Sequence, residues 1–293
     1  MVVAGLVFAV TVPAAAQGID PDPAGTRPAA NGPATNGGPT ATADEAAPAP
    51  ATSQPSAARP SATAASRIQR RPPVTTPRPP VPHRTAPAPA NNLASRLHTL
   101  PATTSQVVIV HATSFTTTYA TLQAYQKVDG VWLPAFPAMP ARIGSKGFSD
   151  NHVEGVPTTP TGRYGFGPTM YGISADPGVR YPYHRLVEND WWDENPASPT
   201  YNTFVHRTTS PGGASEALWR IWPAYRHFAV ITYNMPDPVP GKGSAIFLHE
   251  GTGGPTAGCV SLGSADLVKI LTWLDPARMP RIVMAPVHVL DRY

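Results

Sequence analysis

The chain has 293 residues, a formal net charge of +4, 41% hydrophobic residues, 38 prolines and a single cysteine. One cysteine excludes an intramolecular disulfide framework. No apolar stretch reaches the ~20 residues that a helix needs to cross a bilayer, so we do not expect a membrane-spanning protein.

Residues 1–16 have the pattern of a secretory signal peptide. An apolar run over residues 2–12 is followed by Pro13 and by small residues at 14–16, which is what a signal peptidase requires. No basic residue precedes the run, which leaves a buried strand as the alternative. We predict cleavage before Gln17 and an exported protein of the periplasm or cell wall.

Residues 17–102 are predicted to form a disordered linker rich in Pro and Ala. Seventeen prolines lie between Gly18 and Asn92, and no aromatic residue occurs between Phe8 and Phe115. Without large apolar side chains, this segment cannot bury enough surface to offset the entropy cost of ordering. Pro-rich chains are extended and fairly stiff, so the segment suits a tether.

The net charge of the chain lies entirely in its N-terminal part. Eight arginines and four acidic residues occur up to Arg96, whereas residues 97–293 are balanced. The arginines are sparse and lack aromatic neighbours for base stacking, so nucleic acid is not an expected partner. We expect either loose contact with anionic wall polymers or a simple solubilising role.

Residues 103–293 are predicted to form one mainly β domain, β-sandwich-like, with one packed helix. Short runs that are β-branched or alternate in polarity predict strands, and the Asp129-Gly130 pair predicts a hairpin turn. The expected strands span residues 106–111, 119–126, 131–133, 227–233, 245–249 and 281–284.

One stretch of the domain has helical periodicity. Apolar residues recur on one face over residues 267–274, which predicts a helix packed on the sheet. Ser264 is the expected cap, and Asp275-Pro276 is the expected end. A second short helix is possible near residues 215–219.

The candidate nucleophile is Cys259, which follows Gly258 in a turn-rich loop. A thiolate is the best nucleophile among ordinary side chains, and a nearby histidine is the usual means of forming one. His249 ends a predicted strand ten residues earlier, and such a loop can bring its two ends together. We predict a thiolate–imidazolium pair, with His249 as proton acceptor and donor. The backbone N–H groups of Ala257 and Gly258 are the predicted oxyanion donors.

The same atoms allow two other interpretations. A free cysteine is commonly a small buried hydrophobe, but the glycine neighbour and the strand-borne histidine favour chemistry. A zinc site at His249, Glu250 and Cys259 lacks both a second histidine at helical spacing and a second cysteine. We therefore predict no metal and no organic cofactor.

These residues resemble a known family. The run from Thr256 to Leu262, preceded by a strand that ends in histidine, is similar to the active-site signature of the L,D-transpeptidase catalytic domain of bacterial cell-wall enzymes. Residues 142–147, Glu154-Gly155 and the Thr-Pro-Thr-Gly run at 159–162 resemble its glycine-rich segment. The resemblance covers roughly residues 105–285 and is most specific at the cysteine.

The chain departs from this family's common pattern at two points. Ala257 stands where many members carry a histidine, and His249 lies closer to Cys259 than in many members. In these respects the chain is similar to a short-loop subgroup with the pattern Gly-Cys-Val-x-Leu. The resemblance implies that a polar or carbonyl group orients the His249 ring, and Glu250 or a backbone carbonyl are the candidates.

The resemblance also implies a reaction. The cysteine attacks a peptidoglycan stem peptide, its expected partner, and forms a thioester; an amine of a second stem then gives a 3→3 cross-link. Such cysteine acyltransferases organise the cell wall, support cell shape and are targets of carbapenems. Attack by water instead would make the protein an L,D-carboxypeptidase or endopeptidase. A vestigial thiol would leave a non-catalytic wall-binding module.

Five residues are predicted to contact the stem peptide: Tyr183, Arg185, Trp192, Asn202 and Glu250. The first four belong to an aromatic and polar belt in which Arg185 would meet a carboxylate and acidic groups would meet an ammonium. The alternative is that the belt's tryptophans cover the core. Four further histidines are interpreted as surface or core residues: His152, His184, His206 and His227.

Overall fold

The computed structural model describes residues 91–293. The predicted signal peptide at 1–16 and most of the predicted linker therefore lie outside the described residues. Over the part that is described, none of the helices combines the length and apolar character needed to cross a membrane.

The described residues form sixteen strands and one α-helix, joined by short 3₁₀ turns. The strands are β1 (Gln106–Ala112), β2 (Tyr119–Val128), β3 (Val131–Pro134), β4 (Met139–Arg142), β5 (Phe148–Ser149), β6 (Thr159–Pro160), β7 (Gly162–Tyr164), β8 (Phe166–Gly172), β9 (Tyr183–Arg185), β10 (Asp190–Asp193), β11 (Thr203–His206), β12 (Glu216–Ala217), β13 (Phe228–Ile231), β14 (Phe247–Glu250), β15 (Val260–Leu262) and β16 (Arg281–Pro286). The helix is α1 (Ser264–Trp273), and the 3₁₀ helices are Leu93–Arg96, Leu218–Arg220, Pro276–Arg278 and Val287–Arg292.

Eleven strands make one large sheet, in the order β7-β16-β1-β2-β4-β15-β14-β13-β8-β9, with β3 paired to β2. The pairs β1–β16, β14–β15 and β8–β9 are parallel and the others are antiparallel. The predicted hairpin joins β2 to β3, and Asp129 and Gly130 have φ of 49° and 82°. Two positive φ values are what a two-residue turn of this kind needs.

The large sheet is covered on both faces around β14, whose four residues are all buried. Leu248 faces the helix side, where Leu267 and Ile270 of α1 are fully buried. Phe247 faces the other side and packs in an aromatic cluster with Phe228. Neighbouring residues of a strand alternate between the faces of a sheet. The predicted mainly β fold with one packed helix is confirmed.

Helix α1 differs from its prediction at the start. Its N-cap is Gly263, which has no side chain to cap with, whereas Ser264 was the expected cap. The Ser264 hydroxyl instead donates to the Glu250 carboxylate at 3.1 Å. The short helix predicted near 215–219 is a strand, β12, followed by a 3₁₀ turn. Pairing of β12 with β10 overrides the local preference.

The folded part of the chain already includes Asn92, ahead of the predicted boundary at residue 103. Ala94 is fully buried against the domain. The Asn92 amide donates to the Trp132 carbonyl at 2.7 Å, and Arg96 pairs with Asp291 at 2.7 Å. The segment just before β1 is therefore packed on the domain.

Candidate active site

The predicted nucleophile and base project from the same face of neighbouring strands. Strands β14 and β15 run parallel, with His249 opposite Ser261. Cys259 lies two residues before Ser261, so its side chain shares that face of the sheet. The fold thus brings together the two ends of the Gly- and Pro-rich loop, as their spacing predicts.

The Cys259 thiol is buried, with 8% of the residue exposed. Its Sγ donates to the Ala245 carbonyl at 3.2 Å and accepts from the Phe247 N–H at 3.3 Å. Burial, and secondarily the negative charge of Glu216, raise the pKa of the thiol well above its usual value. The resting thiol is therefore protonated at neutral pH.

The His249 ring is oriented by a backbone carbonyl. Its Nδ1 lies 2.8 Å from the Glu250 carbonyl oxygen; because a carbonyl only accepts, Nδ1 carries the hydrogen and Nε2 has a lone pair. Burial lowers the pKa of this ring to about 4, so the imidazole is neutral. The Glu250 carboxylate has other contacts, with Arg226 at 3.3 Å and Ser264 at 3.1 Å.

The environments of the two groups favour a neutral pair in the resting protein. The expected thiolate–imidazolium pair would place two charges where burial disfavours each of them. Among the described residues, no hydrogen bond joins the Cys259 thiol to the His249 ring. The arrangement suits a base that removes the thiol proton as the sulfur attacks.

The cysteine loop is held by two threonine hydroxyls. The buried Thr159 hydroxyl donates to the Gly258 carbonyl at 2.8 Å and accepts from the Gly144 N–H at 2.9 Å. The Thr256 hydroxyl donates to the Cys259 carbonyl at 2.7 Å. The Thr-Pro-x-Gly run and the cysteine signature, far apart in sequence, therefore stabilise one another.

The backbone conformation at position 258 requires glycine. Its φ is +155°, and a Cβ at this position would lie 3.1 Å from the Thr158 carbonyl oxygen and 3.2 Å from Ile246 Cδ1. Its N–H donates to Thr256 Oγ1 at 3.2 Å, while the Ala257 N–H makes no hydrogen bond among the loop contacts of the described residues. The oxyanion role of Ala257 and Gly258 stays a prediction.

A cavity of about 350 Å³ opens beside the thiol. Cys259, Ala257 and Gly258 line one part of it. The remaining wall includes three carboxylates and one imidazole, none of them among the predicted site residues: Glu154, Glu194, Glu216 and His152. Of these four residues, only Glu154 lies in a segment that the sequence already indicated as resembling the family.

His152 was interpreted as a surface or core residue, and it is buried in the cavity wall. Its Nδ1 lies 3.0 Å from the Thr158 hydroxyl, and burial lowers its pKa. Its ring packs edge-on against Tyr233. A Cβ on Gly258 would lie 3.6 Å from His152 Cε1, so this imidazole borders the cysteine loop.

The other three histidines lie away from the cavity. His184 and His206 bond the two oxygens of the buried Asp190 at 2.8 and 2.7 Å. His227 Nε2 lies 3.0 Å from the Ala175 carbonyl.

None of the five predicted stem-contact residues lines the cavity. Trp192 is 2% exposed and donates from Nε1 to Asn202 Oδ1 at 3.1 Å. The same oxygen accepts from the Ala245 N–H at 3.1 Å, and the Ala245 carbonyl is the acceptor of the thiol. Asn202 therefore helps to position the backbone that holds Cys259.

The remaining predicted contacts lie at the end of the sheet formed by β9. The Tyr183 hydroxyl donates to the Ser174 carbonyl at 2.8 Å. Arg185 is exposed, and its Nε makes a long contact of 3.4 Å with the Ile173 carbonyl. Their contact with a substrate stays a prediction.

The residues described, 91–293, contain no group of three His, Cys, Asp or Glu side chains arranged to hold a metal ion. The three carboxylates at the cavity are thus not disposed as metal ligands.

The chain matches a protein-family model. The model of the YkuD family, described as the L,D-transpeptidase catalytic domain, matches residues 106–289, which is more than half of the chain. The matched range covers the cysteine loop, His249 and the residues of the cavity. No curated protein is significantly similar to the chain.

Proposed function

The chain belongs to the family of L,D-transpeptidase catalytic domains, and we propose that it joins peptidoglycan stem peptides through a thioester on Cys259. One observation carries the proposal: a neutral imidazole with an available Nε2 shares a sheet face with a protonated thiol that borders a cavity. A base of this kind would take the thiol proton in acyl transfer.

In the first half of the reaction, Cys259 Sγ attacks the carbonyl carbon between the third residue of a donor stem and its terminal D-alanine. His249 Nε2 takes the thiol proton as the S–C bond forms. The C–N bond then breaks, and the proton passes from Nε2 to the leaving amine. Free D-alanine departs, and the stem remains as a thioester.

In the second half, an amine of another stem attacks the thioester carbonyl. The new N–C bond forms as the S–C bond breaks, and the proton lost by the amine returns to the sulfur through His249. With the side-chain amine of a diamino acid as nucleophile, the product is a 3→3 cross-link. The Ala257 N–H stabilises the oxyanion of both steps, joined by the Gly258 N–H once that group exchanges Thr256 Oγ1 for the oxyanion.

The proposal places the protein at the cell wall, exported by the segment 1–16 and tethered by the segment that follows. The arginines of that segment would add loose contact with anionic wall polymers. The same acyl chemistry makes carbapenems expected inhibitors, because an opened β-lactam leaves an adduct on the nucleophile.

The test is mass spectrometry of the intact protein incubated with a tetrapeptide stem. We expect an adduct equal to the stem without D-alanine, and a cross-linked dimer when a second stem is added. Cys259→Ala should give neither product, while Thr208→Val, at an exposed site, should give both. Product trimmed by one residue with no dimer would identify a carboxypeptidase. Absence of any adduct, with unchanged binding to sacculi in Cys259→Ala, would leave only a wall-binding module.

A further inference from the structure

Three carboxylates face the cavity beside Cys259 without a cationic partner. Glu154, Glu194 and Glu216 all line it. Within residues 91–293, none of the ion pairs formed by Lys, Arg or His involves any of the three. The acidic cluster, as we call these three residues, is therefore uncompensated by the protein.

Within the acidic cluster, Glu194 is the residue whose environment indicates a ligand. It is 9% exposed, and its Oε1 is buried with no hydrogen-bond partner among the described residues. Burial, followed by the charges of Glu216 and Glu154, raises the pKa of this carboxyl. Buried polar atoms in folded proteins are nearly always paired, so an unpaired carboxyl oxygen at a cavity wall indicates a missing donor.

The other two carboxylates are fixed through one oxygen each. Tyr201 and Ser244 both donate to Glu154 Oε2, and Tyr225 donates to Glu216 Oε2. The second oxygen of each accepts no hydrogen bond from a described residue. The cluster therefore holds its carboxylates in place and leaves an oxygen of each available to a ligand.

We propose that the acidic cluster binds a primary ammonium group of a peptidoglycan stem, the side-chain amine of a diamino acid. An ammonium donates charge-assisted hydrogen bonds, which are the strong ones, and Glu194 Oε1 is the acceptor that lacks a donor. This inference rests on the proposed function, since it names the group that brings the stem to the thiol.

The same cluster rejects the main competing ligands. A carboxylate or phosphate would meet like charge, and an acetylated amine has one donor and no charge. A metal ion is disfavoured because the described side chains form no group able to hold one. A bound ammonium also offsets the charge of Glu216, which contributes to keeping the Cys259 thiol protonated, so the correct stem favours its own attack.

The experiment compares two stem tetrapeptides that differ only in the side-chain amine, free or acetylated. The readout is the initial rate of thioester formation on Cys259 with each peptide as the donor stem. The acceptor step is not compared, because the side-chain amine is the nucleophile of that step and acetylation would abolish it whatever the cluster binds. We expect a preference for the free amine of about tenfold or more in the kcat/KM of acylation, the size of a lost charge-assisted contact.

Glu194→Gln should remove most of that preference, which is read as the ratio of the free-amine rate to the acetylated-peptide rate because the charge of Glu194 also acts on the Cys259 thiol. Glu154→Gln provides a second variant if the first folds poorly. Glu188→Gln is the matched control, because Glu188 is exposed and outside the cavity, and it should keep the full preference.

Binding to Cys259→Ala, measured by calorimetry with the same two peptides, separates this inference from the proposed function. Tighter binding of the free amine supports the cluster even if no thioester is ever seen. Equal binding of the two peptides, together with equal rates of acylation, overturns the cluster assignment, and a thioester formed in that case leaves the proposed function intact.

Discussion

Replacing His249 with glutamine tests the base directly, because a glutamine amide cannot take a proton. A positioned general base contributes about 10²–10⁴-fold. The decrease in rate should be large, because burial raises the pKa of the Cys259 thiol. Each unit of that increase lowers the fraction of spontaneously formed thiolate about tenfold. We expect acylation at least about 100-fold slower, which corresponds to about 2.7 kcal/mol in the barrier.

The assay follows the carbapenem adduct on the intact protein by mass against time at pH 7.4. This readout needs no acceptor and reports only the step in which the thiol proton is removed. His98→Gln is the matched control, because His98 is exposed and outside the cavity, and it should acylate at the wild-type rate. Thermal unfolding of both variants shows whether the fold is retained.

A folded His249→Gln protein that acylates within about threefold of wild type would refute the assignment of the base, given the 10²-fold minimum expected of one. His152, the imidazole that lines the cavity, would then be the candidate, and His152→Gln would become the slow variant. Slow acylation in both variants would mean that the two rings act together on Cys259.

Three further outcomes are expected. Thr159→Val leaves the Gly258 carbonyl and the Gly144 N–H without their partner, so urea unfolding should show a free energy of unfolding lower by about 2–5 kcal/mol. A decrease under about 0.5 kcal/mol, the range of an exposed change such as Thr208→Val, would contradict the anchoring role. Gly258→Ala adds a Cβ at φ +155° and 3.1 Å from a carbonyl oxygen, so thermal unfolding should show about 1–3 kcal/mol of destabilisation, and an unchanged midpoint would argue against the strain. Alkylation of Cys259 by iodoacetamide should rise with pH through pH 9 without levelling off, because burial raises the pKa of the thiol; a plateau below pH 8 would instead indicate a resting thiolate–imidazolium pair.

The elements with a strong local pattern were predictable from the sequence. The periodic face of α1 and the Asp129-Gly130 hairpin depend on neighbours along the chain, and the structure has both. Ten strands were missed, β4 to β12 and β15; all of them except β8 have two to four residues, and a strand that short forms only through its partners. The cap of α1 was wrong because Ser264 found a tertiary partner in Glu250.

The candidate site also has one part that was predictable from the sequence and one part that was not. The shared sheet face of Cys259 and His249 follows from one loop, so their spacing was enough to indicate it, and their roles as nucleophile and base stay predictions. The acidic cluster joins Glu154, Glu194 and Glu216 from three distant segments, and no local pattern links them. Burial of Ala94 likewise depends on contacts across the fold, which composition alone did not indicate.

The hydrogen bonds that hold Cys259 Sγ between the Ala245 carbonyl and the Phe247 N–H also affect how readily the sulfur is oxidised. Peroxides oxidise the thiolate form of cysteine and leave the thiol largely untouched. A sulfur kept protonated and 8% exposed therefore resists conversion to sulfenic acid while no substrate is bound. In the exported location proposed above, this protection would keep the only cysteine of the chain intact without a reductase to restore it.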